Sequence, residues 1–396
     1  MEYNFSRAAH NMRSSAIRNI LSLAVRPDII SFAGGMPGDE LFPTNDLREL
    51  VATLTEKQVQ EAMQYGPTSG YPPLLEALKE WLRAKGFPVD TNRLIITTGS
   101  LQAINIIGKI FINPGDVVLT EDPVFIGATS AFKSFEAELK GVPMDADGID
   151  IAALKAALAL NPKFVYVTPN FHNPAGLSYS PQRRAEFIEV MAQTNIPVLE
   201  DDAYGELFYS DDVKPLIVPM KTTAADEQRY FYSGSFSKVF GPGLRVAWLL
   251  VPEAVYAKAE VCKQSMDACS PMLSQVLAYE FLRTGKMQTY IDQLRTIYKV
   301  RRDCMVAAVR RECPAEATFV EPKGGFYLWL KMPQGVDEEV LVRRCVNEGV
   351  VFVTGKTFDP DEHPNGYIRL SFSNTPEDQI ETGIRILGEQ MKQLML

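Results

Sequence analysis

Short apolar runs punctuate the middle of the chain: Leu94–Thr98, Val117–Glu121, Phe164–Thr168, Ile196–Glu200, Tyr230–Gly234 and Val246–Val251. Each is apolar at successive positions instead of alternating with polar ones. Runs of that length, apolar on both faces, suit strands of a buried parallel sheet, and helical spacing separates them. The pattern predicts an α/β fold with helices on both faces of the sheet. In such sheets ligands collect beyond the carboxyl ends of the strands, and several runs end in polar or glycine-containing segments. Before this region, Asp46 to Lys85 reads as helical, broken by Tyr65-Gly66-Pro67-Thr68-Ser69-Gly70-Tyr71-Pro72. Earlier still lie an amphipathic stretch, Ser15–Leu21, and a turn-rich loop, Ser31–Gly38. Pro271 to Arg311 reads as a long, interrupted helical region. Gly325–Leu330 and Tyr367–Phe372 read as strands of a smaller α+β unit.

At 396 residues the chain exceeds one simple core. The expected division is an N-terminal arm over 1–45, a large α/β domain over 46–290 and a small α+β domain over 291–396. The net charge of −9 supplies no general field for phosphate backbones, so no nucleic-acid partner is expected and any anion must meet locally placed cations. The five cysteines form no CxxC pair, and no secretory pattern opens the chain, which points to reduced thiols in the cytoplasm. No apolar run approaches the ~20 residues of a membrane helix. The three histidines are far apart, without metal-ligand spacing, so no metal is expected.

The candidate chemistry gathers at the ends of the apolar runs. Ser233-Gly234-Ser235-Phe236-Ser237-Lys238, followed by Gly241-Pro242-Gly243-Leu244-Arg245, sets a lysine among small residues that leave room for a ligand. Such an amine can condense with an aldehyde and serve as a base once displaced; the plainer reading is a loop lysine. Gly99-Ser100-Leu101-Gln102 joins a run to a helix, where free N–H groups favour a phosphate; a simple helix cap is the plainer reading. Glu200-Asp201-Asp202 ends another run. Buried successive carboxylates are costly unless one meets a cation, and a protonated pyridine nitrogen would be one. Asn170-Phe171-His172-Asn173-Pro174 follows a third run and by itself reads as a turn.

Together and in this order, these pieces resemble the fold type I pyridoxal-phosphate-dependent aminotransferases of class I/II, most closely the kynurenine/α-aminoadipate, LysN-like, multi-substrate branch. The resemblance runs from Phe32 to Arg369. It implies a mostly parallel seven-stranded sheet, pyridoxal 5′-phosphate as cofactor and amino transfer to a 2-oxo acid. It makes Lys238 the Schiff-base lysine and proton shuttle, and Asp201 the partner of the pyridine nitrogen. Asn173 and Tyr204 reach the ring oxygen, and Phe125 stands where many relatives carry a stacking tyrosine. Ser100, Leu101, Gln102, Ser235, Ser237 and Arg245 form the phosphate cup. Tyr65 reaches the phosphate of the partner subunit in a homodimer. Arg369 and Asn173 hold the substrate carboxylate beside Gly35, and Arg18 pairs with a side-chain carboxylate. His172 stands where near relatives often have glutamine. A lyase on the same fold is the nearest rival. A regulator with an added winged-helix domain is the other, and the early start of the pattern, near residue 30, argues against it.

Overall fold

The computed structural model describes residues 3–11, 28–211, 213 and 228–396. Its central sheet runs, in spatial order, Asn92–Thr97, Ala247–Pro252, Tyr230–Ser235, Val198–Asp202, Val165–Val167, Val117–Asp122, Glu138–Asp145 and Gly148–Ile149. The pairings from Tyr230–Ser235 through to Glu138–Asp145 are parallel, and Ala247–Pro252 runs against both its neighbours. Every expected apolar run lies on one of these strands. The sheet has eight strands where seven were expected. Glu138–Asp145 was not expected as a strand, since Lys140, Gly141 and Pro143 interrupt its apolar positions, and it carries the two-residue edge strand Gly148–Ile149.

Side chains alternate between two cores, as a pleated strand requires. Leu94, Ile96, Val165, Val198, Trp248 and Leu250 enter one. Ile95, Phe164, Tyr166, Leu199, Phe231 and Leu249 enter the other, against the helix Ser100–Phe111. On that helix Ile104, Ile106 and Ile107 are fully buried, each contributing about 1.5–3 kcal/mol. This burial pins the amino end of the helix at the carboxyl edge of the sheet.

Tyr327–Lys331, Tyr367–Ser371 and Val353–Thr354 form a second, antiparallel sheet. Ile30–Ser31 pairs in parallel with Val350–Val351, and Ser371 N donates to Phe32 O at 2.8 Å. The segment leading into the Ala33–Met36 loop is thereby stitched to the C-terminal part of the chain. The expected helical region resolves into Met272–Arg283 and Lys286–Glu312, interrupted at Gly285 in the left-handed conformation (φ 75°). Lys286–Glu312 runs through the expected boundary at residue 290. Among the described residues no helix is long and apolar enough to cross a membrane.

Candidate active site

Five strand ends and the Ala33–Met36 loop surround a cavity of about 380 Å³. Lys238, Asp201, Tyr204, Asn173 and Arg369 line it, with Gly35 from the loop. So do Ser100, Leu101, Phe125, Ser235, Ser237 and Arg245. Three of the expected residues stand apart. Tyr65 is exposed at 84% and does not line the cavity. Arg18 lies outside the described residues. The Gln102 side chain points away from the cavity. Its Oε1 accepts from Thr98 N and its Nε2 donates to Asp267 Oδ2, both at 2.8 Å. The helix it opens has no side-chain cap, so the amide is spent on fastening the turn.

The alternation of the strand sorts the three carboxylates. Asp202 accepts from Asn170 Nδ2 at 3.0 Å and the Tyr232 hydroxyl at 3.1 Å, while Glu200 accepts from the Tyr230 hydroxyl. Asp201 faces the other way, into the cavity. Its Oδ2 accepts from the Tyr166 hydroxyl at 2.9 Å, and its Oδ1 is buried without a hydrogen-bond partner. Burial pushes this carboxyl up to about 6, against the pull of the Tyr166 hydroxyl and of Ser233 on the neighbouring strand. A cation placed at Oδ1 would relieve that cost.

Arg369 is 2% exposed on the central strand of the small sheet. It donates to Asn173 Oδ1 at 2.8 Å and to Ala33 O at 2.5 Å, and its Nε has no partner. The guanidinium sits over the rings of Tyr327 and Phe358, 4.4 and 4.7 Å from their centroids. No carboxylate among the described residues pairs with it, so a buried cation is held ready for an anion from outside.

Lys238 Nζ donates to Gly35 O at 2.7 Å. Burial, then the nearby Arg369 and Arg245 cations, lower its amine to about 8. A lowered amine is uncharged, and therefore nucleophilic, at lower pH than an ordinary lysine. In the cofactor-free protein, reaction of Lys238 with a small aldehyde should rise about tenfold per pH unit and level off above about pH 8. Borohydride reduction and peptide mapping would follow it. A rise continuing to pH 10 would mean an unperturbed lysine.

The far end of the cavity suits an anion. Ser100 and Leu101 sit in the first turn of their helix, where N–H groups and dipole face outward. Ser237 N donates to Ser235 Oγ at 3.0 Å, which brings both hydroxyls to the same wall. Arg245 donates to Pro242 O at 3.1 Å and Thr98 O at 3.2 Å. Gly99 adopts φ 82°, and a Cβ there would meet Arg245 Nη2 at 1.9 Å. Only glycine lets the turn and the guanidinium approach so closely.

Two tyrosines escaped the sequence reading. Tyr166 bonds Asp201, and Tyr327 bonds the Tyr204 hydroxyl at 2.9 Å while lying under Arg369. The available signal was a tyrosine inside an apolar strand, whose hydroxyl must find a buried partner. His172 is fully buried, with Nε2 3.1 Å from Glu121 Oε2 and Nδ1 accepting from Ala175 N at 3.2 Å. It thus steadies the turn that carries Asn173.

Residues 29–387 match the family model described as aminotransferase class I and II. The aromatic-amino-acid aminotransferase 1 of Thermococcus litoralis is 36% identical, over 100% of this chain and 95% of its own. The 2-aminoadipate transaminase of Thermus thermophilus is 36% identical, over 99% and 97%. Among solved structures, the kynurenine aminotransferase of Pyrococcus horikoshii, in complex with PMP, aligns with a TM-score of 0.92 at 36% identity, covering 98% of this chain and 97% of that one.

Proposed function

The chain belongs to the class I and II aminotransferases, and from that premise we propose that it transfers the amino group of an aromatic, aliphatic or 2-aminoadipate L-amino acid to a 2-oxo acid such as 2-oxoglutarate. The observation that carries the reading is Arg369: a buried guanidinium with no internal carboxylate, in the same cavity as a lysine of lowered basicity.

Pyridoxal 5′-phosphate is the family's cofactor, and the residues present fit it. Asp201 Oδ1 lacks a partner where a ring nitrogen needs one, and Arg245 with the Ser100 turn awaits an anion. Bound there, the group supplies an aldehyde carbon and a protonated ring that draws electrons from the substrate. The chain's own residues do the rest. Arg369, steadied by Asn173, grips the substrate carboxylate and so fixes the orientation of the Cα–H bond. Lys238 Nζ takes that proton and returns it. Tyr204, held by Tyr327, and Asn173 offer hydrogen bonds to the ring oxygen. Phe125 covers the site with an apolar ring that keeps water away.

Incubation with one amino acid and no oxo acid tests the reading. The loaded protein should release about one equivalent of 2-oxo acid per site and then stop. Continued release with ammonia would favour a lyase instead.

The same reading makes the protein a cytoplasmic homodimer with shared sites. Tyr65 is exposed, as are Val59 and Met63 a few residues earlier in the chain, and a second copy could meet it there. Tyr65→Phe should weaken cofactor retention about tenfold or more, since a charge-assisted hydrogen bond contributes about 1.5–3 kcal/mol. A fully active monomer at assay concentration would refute the shared site.

A further inference from the structure

Behind the Thr98–Ser100 turn lies a polar cluster that neither lines the cavity nor takes part in the steps above. Asp267 ends the helix Glu253–Asp267. Its Oδ2 accepts from Thr98 Oγ1 at 2.9 Å and from Gln102 Nε2 at 2.8 Å. Its Oδ1 pairs with Lys263 Nζ at 2.9 Å, and Lys263 is fully buried. Burial alone would push this carboxyl up; the bonds from Gln102, Lys263 and Thr98 outweigh it and hold the carboxyl below its ordinary value. A carboxylate at the C-terminal end of a helix is set against the helix dipole, and within its own helix Asp267 meets only Lys263, one turn earlier. Its Oδ2 bonds both go to side chains of the Thr98–Gln102 turn.

We propose that Asp267 is a positioning residue for the cofactor's phosphate, fixing the turn whose N–H groups and small residues receive it. The turn is gripped from two sides. Arg245 bonds Thr98 O from the cavity side, and Gly99 is packed against that guanidinium. Asp267 holds Thr98 Oγ1 from behind, and through Gln102 it also holds Thr98 N. Backbone N–H groups have no rotamers with which to adjust, so an anion is bound tightly only if the turn is already in place. Asp267, itself partly exposed, is in turn the countercharge of the fully buried Lys263. Gln102, assigned by resemblance to the phosphate itself, becomes the relay between Asp267 and the turn.

The inference rests on the pyridoxal-phosphate reading above, and the test separates the two. The protein, freed of cofactor, is titrated with pyridoxal 5′-phosphate and with pyridoxal, which lacks the phosphate. The bond to Lys238 is common to both, so the ratio of the two dissociation constants isolates the phosphate end. In Asp267→Asn the preference for the phosphorylated form should fall about tenfold, with the affinity for pyridoxal little changed. Because that variant strands the buried Lys263, the Asp267→Asn/Lys263→Met double variant is measured beside it, with the melting temperature of each cofactor-free protein. It should show the same selective loss with the fold restored. If both affinities fall in parallel, or if neither falls, Asp267 does not position the phosphate and the inference is overturned. If the wild type itself shows no preference for the phosphorylated form, the phosphate-cup reading fails, and the inference with it.

Discussion

Lys238→Ala is expected to reduce turnover roughly ten-thousandfold while the protein still takes up its cofactor. The substitution removes the atom assigned to move the Cα proton, and no other lysine among the described residues lines the cavity. Retention should survive because the anion end, Ser100, Ser235 and Arg245, and the Asp201 end are both untouched. A small amine added to the solution should restore part of the rate by occupying the vacated space. The complementary measurement uses the unmodified protein: borohydride should fix the cofactor on the peptide that contains Lys238. Recovery of the label on a different lysine would overturn the assignment.

The second large effect is expected from Asp201→Ala. Asp201 is buried with one oxygen unpaired, so an ionised carboxylate there is stable chiefly when it faces a cation. Removing it leaves the ring nitrogen without the charge that keeps it protonated. Turnover should fall at least about a hundredfold, the scale of losing one preorganised electrostatic partner. The covalent link to Lys238 should still form, because that chemistry lies at the other side of the ring. Asp201→Glu, which keeps the charge but displaces it, should fall between the two. Turnover near the wild-type rate in Asp201→Ala would mean that the carboxylate has no part in the chemistry.

The sheet was legible because both of its faces are buried. Val165 and Val167 enter one core while Phe164 and Tyr166 enter the other, so neither face leaves a polar signature to blur the run. Glu138–Asp145 escaped because it lies near the sheet edge, where only Leu139 and Val142 are buried and the rest of the run is not continuously apolar. The gathering of Lys238, Asp201, Asn173 and Arg369 in one cavity was foreseen from the polar ends of the runs and from the family likeness. The direction of the Gln102 amide was not. Its two bonds depend on Asp267, a residue far off in sequence, and nothing local distinguishes an amide that faces a ligand from one that ties down a turn. The hydroxyls of Tyr166 and Tyr327 went unread for a similar reason, since a strand pattern records that a ring is buried but not what its oxygen meets.

The stitching of residues 30–32 to the C-terminal region bears on how the molecule is made. Ala33 O receives Arg369, 336 residues later in the chain, and Gly35 O receives Lys238, 203 residues later. The loop that joins these two groups thus leaves the ribosome well before either of its partners. At ~5–20 residues per second, roughly tens of seconds separate their appearance. During that interval the strands from Asn92 to Pro252 can close on their own cores, while Lys238 waits opposite an unfinished wall. Nascent chains halted before Tyr367–Ser371 should therefore resist proteolysis across the central sheet yet leave Ile30–Met36 open to cleavage.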